Sequence, residues 1–141
     1  MEQDMPDAIH QYQMAVGIKD DSAMETNLAN AYEQVKDFDD AIKTYRHAIE
    51  LNTQNASAHC NLGYALMQLG RVDDAIPEFM ETIREDPRMP QGRGDLAQAL
   101  KIKGINPEDP NAPAPGGKYS FDVNEALQLL RSGPMPDQPP G

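Results

Sequence analysis

A chain of 141 residues, 39% hydrophobic and 6% aromatic, can hold one domain with a modest core and is too short to expect two. Twenty-three acidic against twelve basic residues leave a formal net charge of −11, which argues against nucleic acid or membrane insertion, because both nucleic acid and anionic membrane call for a basic footprint. The single cysteine, Cys60, has no disulfide partner and no CxxC metal spacing, and there is neither an 18-residue apolar run nor a leader-like N-terminus, so a reducing, cytoplasmic setting is expected.

Along the chain, residues 6–19 (PDAIHQYQMAVGIK) place Ala8, Ile9, Tyr12, Ala15 and Ile18 at helical spacing. Residues 22–55 then carry one helix with Leu28, Ala29 and Tyr32 and a second with Ala41, Tyr45 and Ala48. Residues 56–89 restate that pattern at an offset of 34: Asn27 falls on Asn61, Leu28 on Leu62, Ala31 on Ala65, Asp39 and Asp40 on Asp73 and Asp74, and Ala41 on Ala75. Nine of 34 positions are identical and they spread over both helices, so the two segments are copies of one structural unit. The 6–19 segment matches the second helix of that unit, which makes residues 1–21 a partial copy.

A further first helix begins near Gln91, since DLAQALKIKG at 95–104 matches NLGYALMQLG at 61–70. The period puts its partner near residue 109, but residues 105–117 read INPEDPNAPAPGG, which neither helix nor strand uses well. The expected phrase returns late as VNEALQLL at 123–130, opened by Asp122 and Glu125 as a capping box and stopped by Ser132, Gly133 and Pro134. Residues 90–131 are thus an interrupted unit or a set of capping helices with a Pro/Gly-rich insertion at 105–121, and the Pro-rich tail at 132–141 is expected to be disordered. The late helix covers the apolar edge of the last unit, folds back as a built-in ligand, or is disordered.

The 34-residue period of paired helices resembles the tetratricopeptide repeat. The residues that carry the likeness are Leu28, Ala29, Tyr32, Ala41, Tyr45 and Ala48 in one unit, then Leu62, Gly63, Ala75, Phe79 and Pro87 in the next. Small residues let antiparallel helices approach while the large ones fill the gaps between them. Departures are Thr53 in place of a helix-ending proline, Thr82 for a small alanine, and Glu25 and His59 for an aromatic; Pro77 is harmless if Asp73 is the N-cap. The resemblance implies an all-α fold, a right-handed superhelix of antiparallel helix pairs with no cofactor, no metal and no catalytic role, acting as a protein or peptide binder.

It also implies that first helices line a concave face. The lining would be Thr26, Asn27, Asn30, Glu33 and Gln34, then Ser57, Cys60, Asn61, Tyr64, Met67 and Gln68, then Gln91, Asp95, Gln98 and Lys101. Asn27, Asn61 and Asp95 are stacked by two steps of 34, a column that either resembles the asparagine ladder of protein O-linked N-acetylglucosamine transferase or merely reflects family composition. The carboxylate clamp of chaperone-binding members is matched at Asn30 and Asn61 but not at its cationic positions, where Thr26, Gln91 and Asp95 stand, so no chaperone C-terminus is expected to bind.

The remaining candidates read as structural. His59 and Cys60 are neighbours about 100° apart on a helix and form no dyad, His59 reads as packing, and His47 reads as a surface partner of Glu50. DFDD and VDDA cap helix starts, and the methionines Met5, Met14, Met24, Met80 and Met89 fill core while Met67 lies in the groove. Two other uses remain open. One is self-association into a homodimer through Ile9, Tyr12 and Val16 on the unpaired N-terminal helix, and the other is a small acidic secretion-type chaperone.

Overall fold

Each first helix stops where the chain turns into the left-handed region, and this happens three times at the same interval. Lys36, Gly70 and Gly104 have φ of 63°, 77° and 85° and are 34 residues apart. At each stop the N–H of the following residue reaches back five residues: Asp37 to Tyr32, Arg71 to Leu66 and Ile105 to Leu100, at 2.9, 2.9 and 2.8 Å. This closure satisfies carbonyls that the helix end leaves open.

The computed structural model describes residues 21–108 and 119–132, together with Ile9, His10 and Gln13. The helices whose ends it defines are α1 (Ser22–Gln34), α2 (Phe38–Leu51), α3 (Ala56–Gln68), α4 (Val72–Glu85), α5 (Pro90–Ile102) and α6 (Val123–Ser132). The described residues contain no strand, and no described helix is long and apolar enough to cross a membrane. Asp21, Asn55 and Asp122 each cap a helix, accepting from the N–H of Met24, Ala58 and Glu125 at 2.8, 3.0 and 3.1 Å.

α1 pairs with α2 and α3 with α4, and α2 and α4 each pack on the first helix that follows them. α1 also meets α3, and α3 meets α5, whereas α2 and α4 do not meet. The row of helix pairs therefore bends, with α1, α3 and α5 crowded on its inner side. The core runs continuously from Ala29 through Tyr45, Leu62, Phe79 and Leu96 to Leu127.

Local exchanges of volume keep the two full units equivalent. A Cβ on Gly63 would lie 2.5 Å from the Phe79 ring, so glycine is what lets that ring in, whereas the corresponding pair one unit earlier is Ala29 with Tyr45. A Cβ on Gly92 would lie 2.9 Å from Thr82 Cγ2. One unit earlier the corresponding residues are Ala58 and Ala48, so the methyl gained at Thr82 is matched by one removed at Gly92.

α6 packs on both α4 and α5 and makes no contact with α3, so it covers the end of the row and not its inner face. Val123, Ala126 and Leu127 are buried there, and Tyr119 and Phe121 stack with ring centroids 5.4 Å apart. Asp122 caps α6 as expected, but Glu125 does not complete the capping box, because its carboxylate pairs with Arg84 of α4.

Two expectations need correction. α4 begins at Val72 after Arg71, not after Asp73, which puts Pro77 in the second turn, where its missing N–H leaves the Asp73 carbonyl without its helical donor. The Ser120 hydroxyl, on the approach to α6, donates to that carbonyl at 3.5 Å. His47 pairs with Glu25 of α1 at 3.2 Å instead of Glu50, because position 47 turns toward the facing helix. Of the N-terminal segment, Ile9 is half-buried and Gln13 Nε2 donates to the Tyr32 hydroxyl at 2.7 Å. Tyr12, Val16, Met5, Met14, the core of the insertion at 109–118 and the tail beyond Ser132 lie outside the described residues.

Candidate peptide-binding face

The inner face is built from turns of α1, α3 and α5 that share a phase of 34. Asn27, Gln34, Tyr64, Gln68 and Gln98 are exposed on it, and Asn30, Asn61 and Asp95 are half-buried. Three expected lining residues are withdrawn from it. Thr26 is buried, donating to the Ser22 carbonyl at 2.8 Å and lying 3.1 Å from Asn55 Nδ2; Cys60 is buried; and Met67 packs partly against the core.

At its centre is a polar network. The Tyr45 hydroxyl, reaching through from α2, lies 2.5 Å from Asn30 Oδ1 and 2.7 Å from Glu33 Oε1, and Asn61 Nδ2 lies 3.1 Å from the same Asn30 oxygen. A hydroxyl has one proton and cannot donate to both acceptors. Rotating both amides by 180° satisfies every group: Asn30 donates to the Tyr45 oxygen and to the Asn61 carbonyl, and Tyr45 donates to Glu33. That arrangement leaves the Asn30 carbonyl and the Asn61 NH2 turned away from the network.

Asn61 thus reaches Asn30, three residues from the Asn27 that the 34-residue column would give it. Beside them the Cys60 thiol points to Asp95 Oδ2 at 3.6 Å. Burial, reinforced by the charges of Asp95 and Glu33, pushes that thiol up to about 12, so Cys60 stays a neutral thiol and a weak donor. Burial likewise raises Glu33 and Asp95 above the ordinary carboxylate range, against the opposing pull of Tyr45 on one and Cys60 on the other. Burial first, then the neighbouring Glu33, also raises Tyr45, which stays a neutral donor.

Charge pairing among the described residues lies elsewhere. Glu25 pairs with His47, Glu78 with His59, Asp74 with Arg71, Glu81 and Glu125 with Arg84, and Asp73 with Lys103. His59 is more than packing. Its Nδ1 is 2.8 Å from Glu78 and its Nε2 2.9 Å from the Thr53 carbonyl, so both nitrogens face acceptors. Burial opposes its charge, but Glu78, the Thr53 carbonyl and the more distant Glu81 outweigh that and raise its pKa. Arg93, one unit on, bonds the Pro87 carbonyl, the counterpart of Thr53.

The Tyr45 hydroxyl was not anticipated as part of this face. The signal was present in the sequence, since its counterpart is Phe79 and the pair differs by that one polar atom.

Comparison with known proteins places this geometry. A family profile described as TPR repeat matches residues 29–70, and one described as Tetratricopeptide repeat matches residues 56–88. The small glutamine-rich tetratricopeptide repeat-containing protein 2 of Mycosarcoma maydis is 29% identical over 104 residues, 74% of this chain and 28% of that protein. DnaJ homolog subfamily C member 7 of Homo sapiens is 35% identical over 63 residues, 45% of this chain and 13% of that protein. The chain therefore spans under a third of the length of either relative.

Among solved structures, MamA superposes with a TM-score of 0.71 at 23% identity, over 90% of this chain and 65% of that one. The first repeat domain of Spaghetti (RPAP3), bound to the HSP90 peptide SRMEEVD, gives 0.69 at 21% identity over 71% of this chain and 82% of that one. The two profile matches together span residues 29–88, and the all-helical fold of the described residues agrees with these structures. Residues 29–88 carry tetratricopeptide repeats, and the fold is shared with these structures.

Proposed function

We propose that this chain is a non-enzymatic interaction module that holds an extended segment of a partner protein along its inner face. The observation that carries the reading is the unspent hydrogen-bonding capacity of that face. Asn27, Asn30, Gln34, Asn61, Gln68, Asp95 and Gln98 lie along three stacked helices, with Tyr64 among them 43% exposed. Primary amides each offer a donor and an acceptor, which suits the alternating N–H and C=O groups of an extended backbone whatever its side chains.

Solved structures of similar fold hold peptides, including SRMEEVD from HSP90. That acidic ligand is a poor match here, because Thr26, Gln91 and Asp95 supply no cation for it. The test places a photoreactive residue at Tyr64 and, separately, at exposed Lys43 on the opposite side. Partner cross-linking at position 64 that disappears in Asn27→Ala/Asn61→Ala, with circular dichroism unchanged, is the expected result. Equal cross-linking at both positions, or indifference to the double substitution, sinks the reading.

A further inference from the structure

We infer that the segment this face accepts carries a basic side chain, arginine or lysine, seated beside Glu33 and Asp95. The inference rests on the groove reading and names the chemistry of its ligand.

Each of the two carboxylates spends one oxygen on the protein, Glu33 on the Tyr45 hydroxyl at 2.7 Å and Asp95 on the Cys60 thiol at 3.6 Å. A carboxylate has room for about four hydrogen bonds, so most of the capacity of each remains. Among the described residues neither makes an ion pair. The pairs recorded there, Glu25 with His47 and His59 with Glu78 among them, leave out both Glu33 and Asp95, so these two half-buried acids of the inner face have no compensating charge among the described residues.

One chain of contacts links the two acids: Glu33 meets Tyr45, Tyr45 meets Asn30, Asn30 meets Asn61, and Cys60, next to Asn61 in the chain, meets Asp95. A half-buried carboxylate without a counterion is costly, and a cation delivered by a ligand would lower that cost while gaining charge-assisted hydrogen bonds. Tyr64 is four residues beyond Cys60 and three beyond Asn61, on the same face of α3, and its exposed ring can cover a guanidinium or ammonium. The net charge of −11 draws a cationic segment in from a distance.

The test selects random heptapeptides displayed on phage against the full chain, then measures individual synthetic peptides by fluorescence anisotropy. Enrichment of Arg or Lys, at least tenfold weaker binding to Glu33→Gln/Asp95→Asn, and weakening as salt rises are the expected results. Asp95→Lys should turn the enrichment toward Asp and Glu. Peptides without basic residues, or affinity within twofold for the Gln/Asn variant, overturn the inference.

The groove reading fails separately. Peptides that lose affinity in Asn27→Ala/Asn61→Ala but not in Glu33→Gln/Asp95→Asn preserve the groove and remove the cation. Peptides indifferent to both variants, or no enrichment above a blank surface, remove both.

Discussion

The two full repeats solve the same packing problem with different residues. In the first, the counterpart positions hold Ala29 and Tyr45 within the repeat and Ala48 and Ala58 at the junction to the next, all fully buried, and buried Glu25 pairs with His47. In the second, Gly63 faces Phe79, Thr82 meets Gly92, and buried His59 pairs with Glu78. The acid and the histidine have changed helices. What is held constant is therefore the volume and charge of each contact and not the residue at each position, which is how only nine of 34 identities yield two helix pairs of the same kind.

The largest way to break the equivalence is to empty one ring site. Phe79→Ala should cost about 3–5 kcal/mol in urea unfolding, because the ring is fully buried and Gly63 offers no side chain to close the gap. Next comes the junction: Gly92→Ala should cost about 1–3 kcal/mol by crowding Thr82, and adding Thr82→Ala should recover most of it, restoring the alanine pair of the first junction. Equal costs in the single and double variants would show that the two residues do not compensate.

The pairing of His59 in the second repeat predicts a pH dependence. The folded pKa of His59 lies above its unfolded value near 6.5, so its contribution is complete below that value and is lost as pH rises through the folded pKa. The urea midpoint should fall as pH is raised from that unfolded value, and His59→Gln should flatten the fall. The smallest effect concerns the turn: Lys36 adopts the left-handed conformation that Gly70 and Gly104 hold without strain, so Lys36→Gly should stabilise by about 0.5–1 kcal/mol, read as a rise in melting temperature.

Much of the fold was legible because repetition reports helix phase. The starts of α1, α3 and α5 follow from aligning NLANAY with NLGYAL and DLAQAL, and the displaced VNEALQLL phrase marks α6. Contacts between helices were less legible. The pairing of His47 with Glu25 and of Tyr45 with Asn30 and Glu33 depends on how two helices are rotated against each other, which a one-dimensional period does not encode. Pro77 was misplaced because the start of α4 has no side-chain cap to mark it, and Asp73 imitates one.

The Ser120 hydroxyl that meets the carbonyl exposed by Pro77 also bears on the order of events. Contacts among α1–α5 join elements one or two places apart in the chain, whereas Ser120 reaches back 47 residues to Asp73 and Glu125 reaches back 41 to Arg84. Closing so long a loop costs entropy before any docking contact forms. α6 should therefore add to a row that has already assembled and detach from it first, so its amide protons should exchange with solvent by a local opening that leaves the repeats folded.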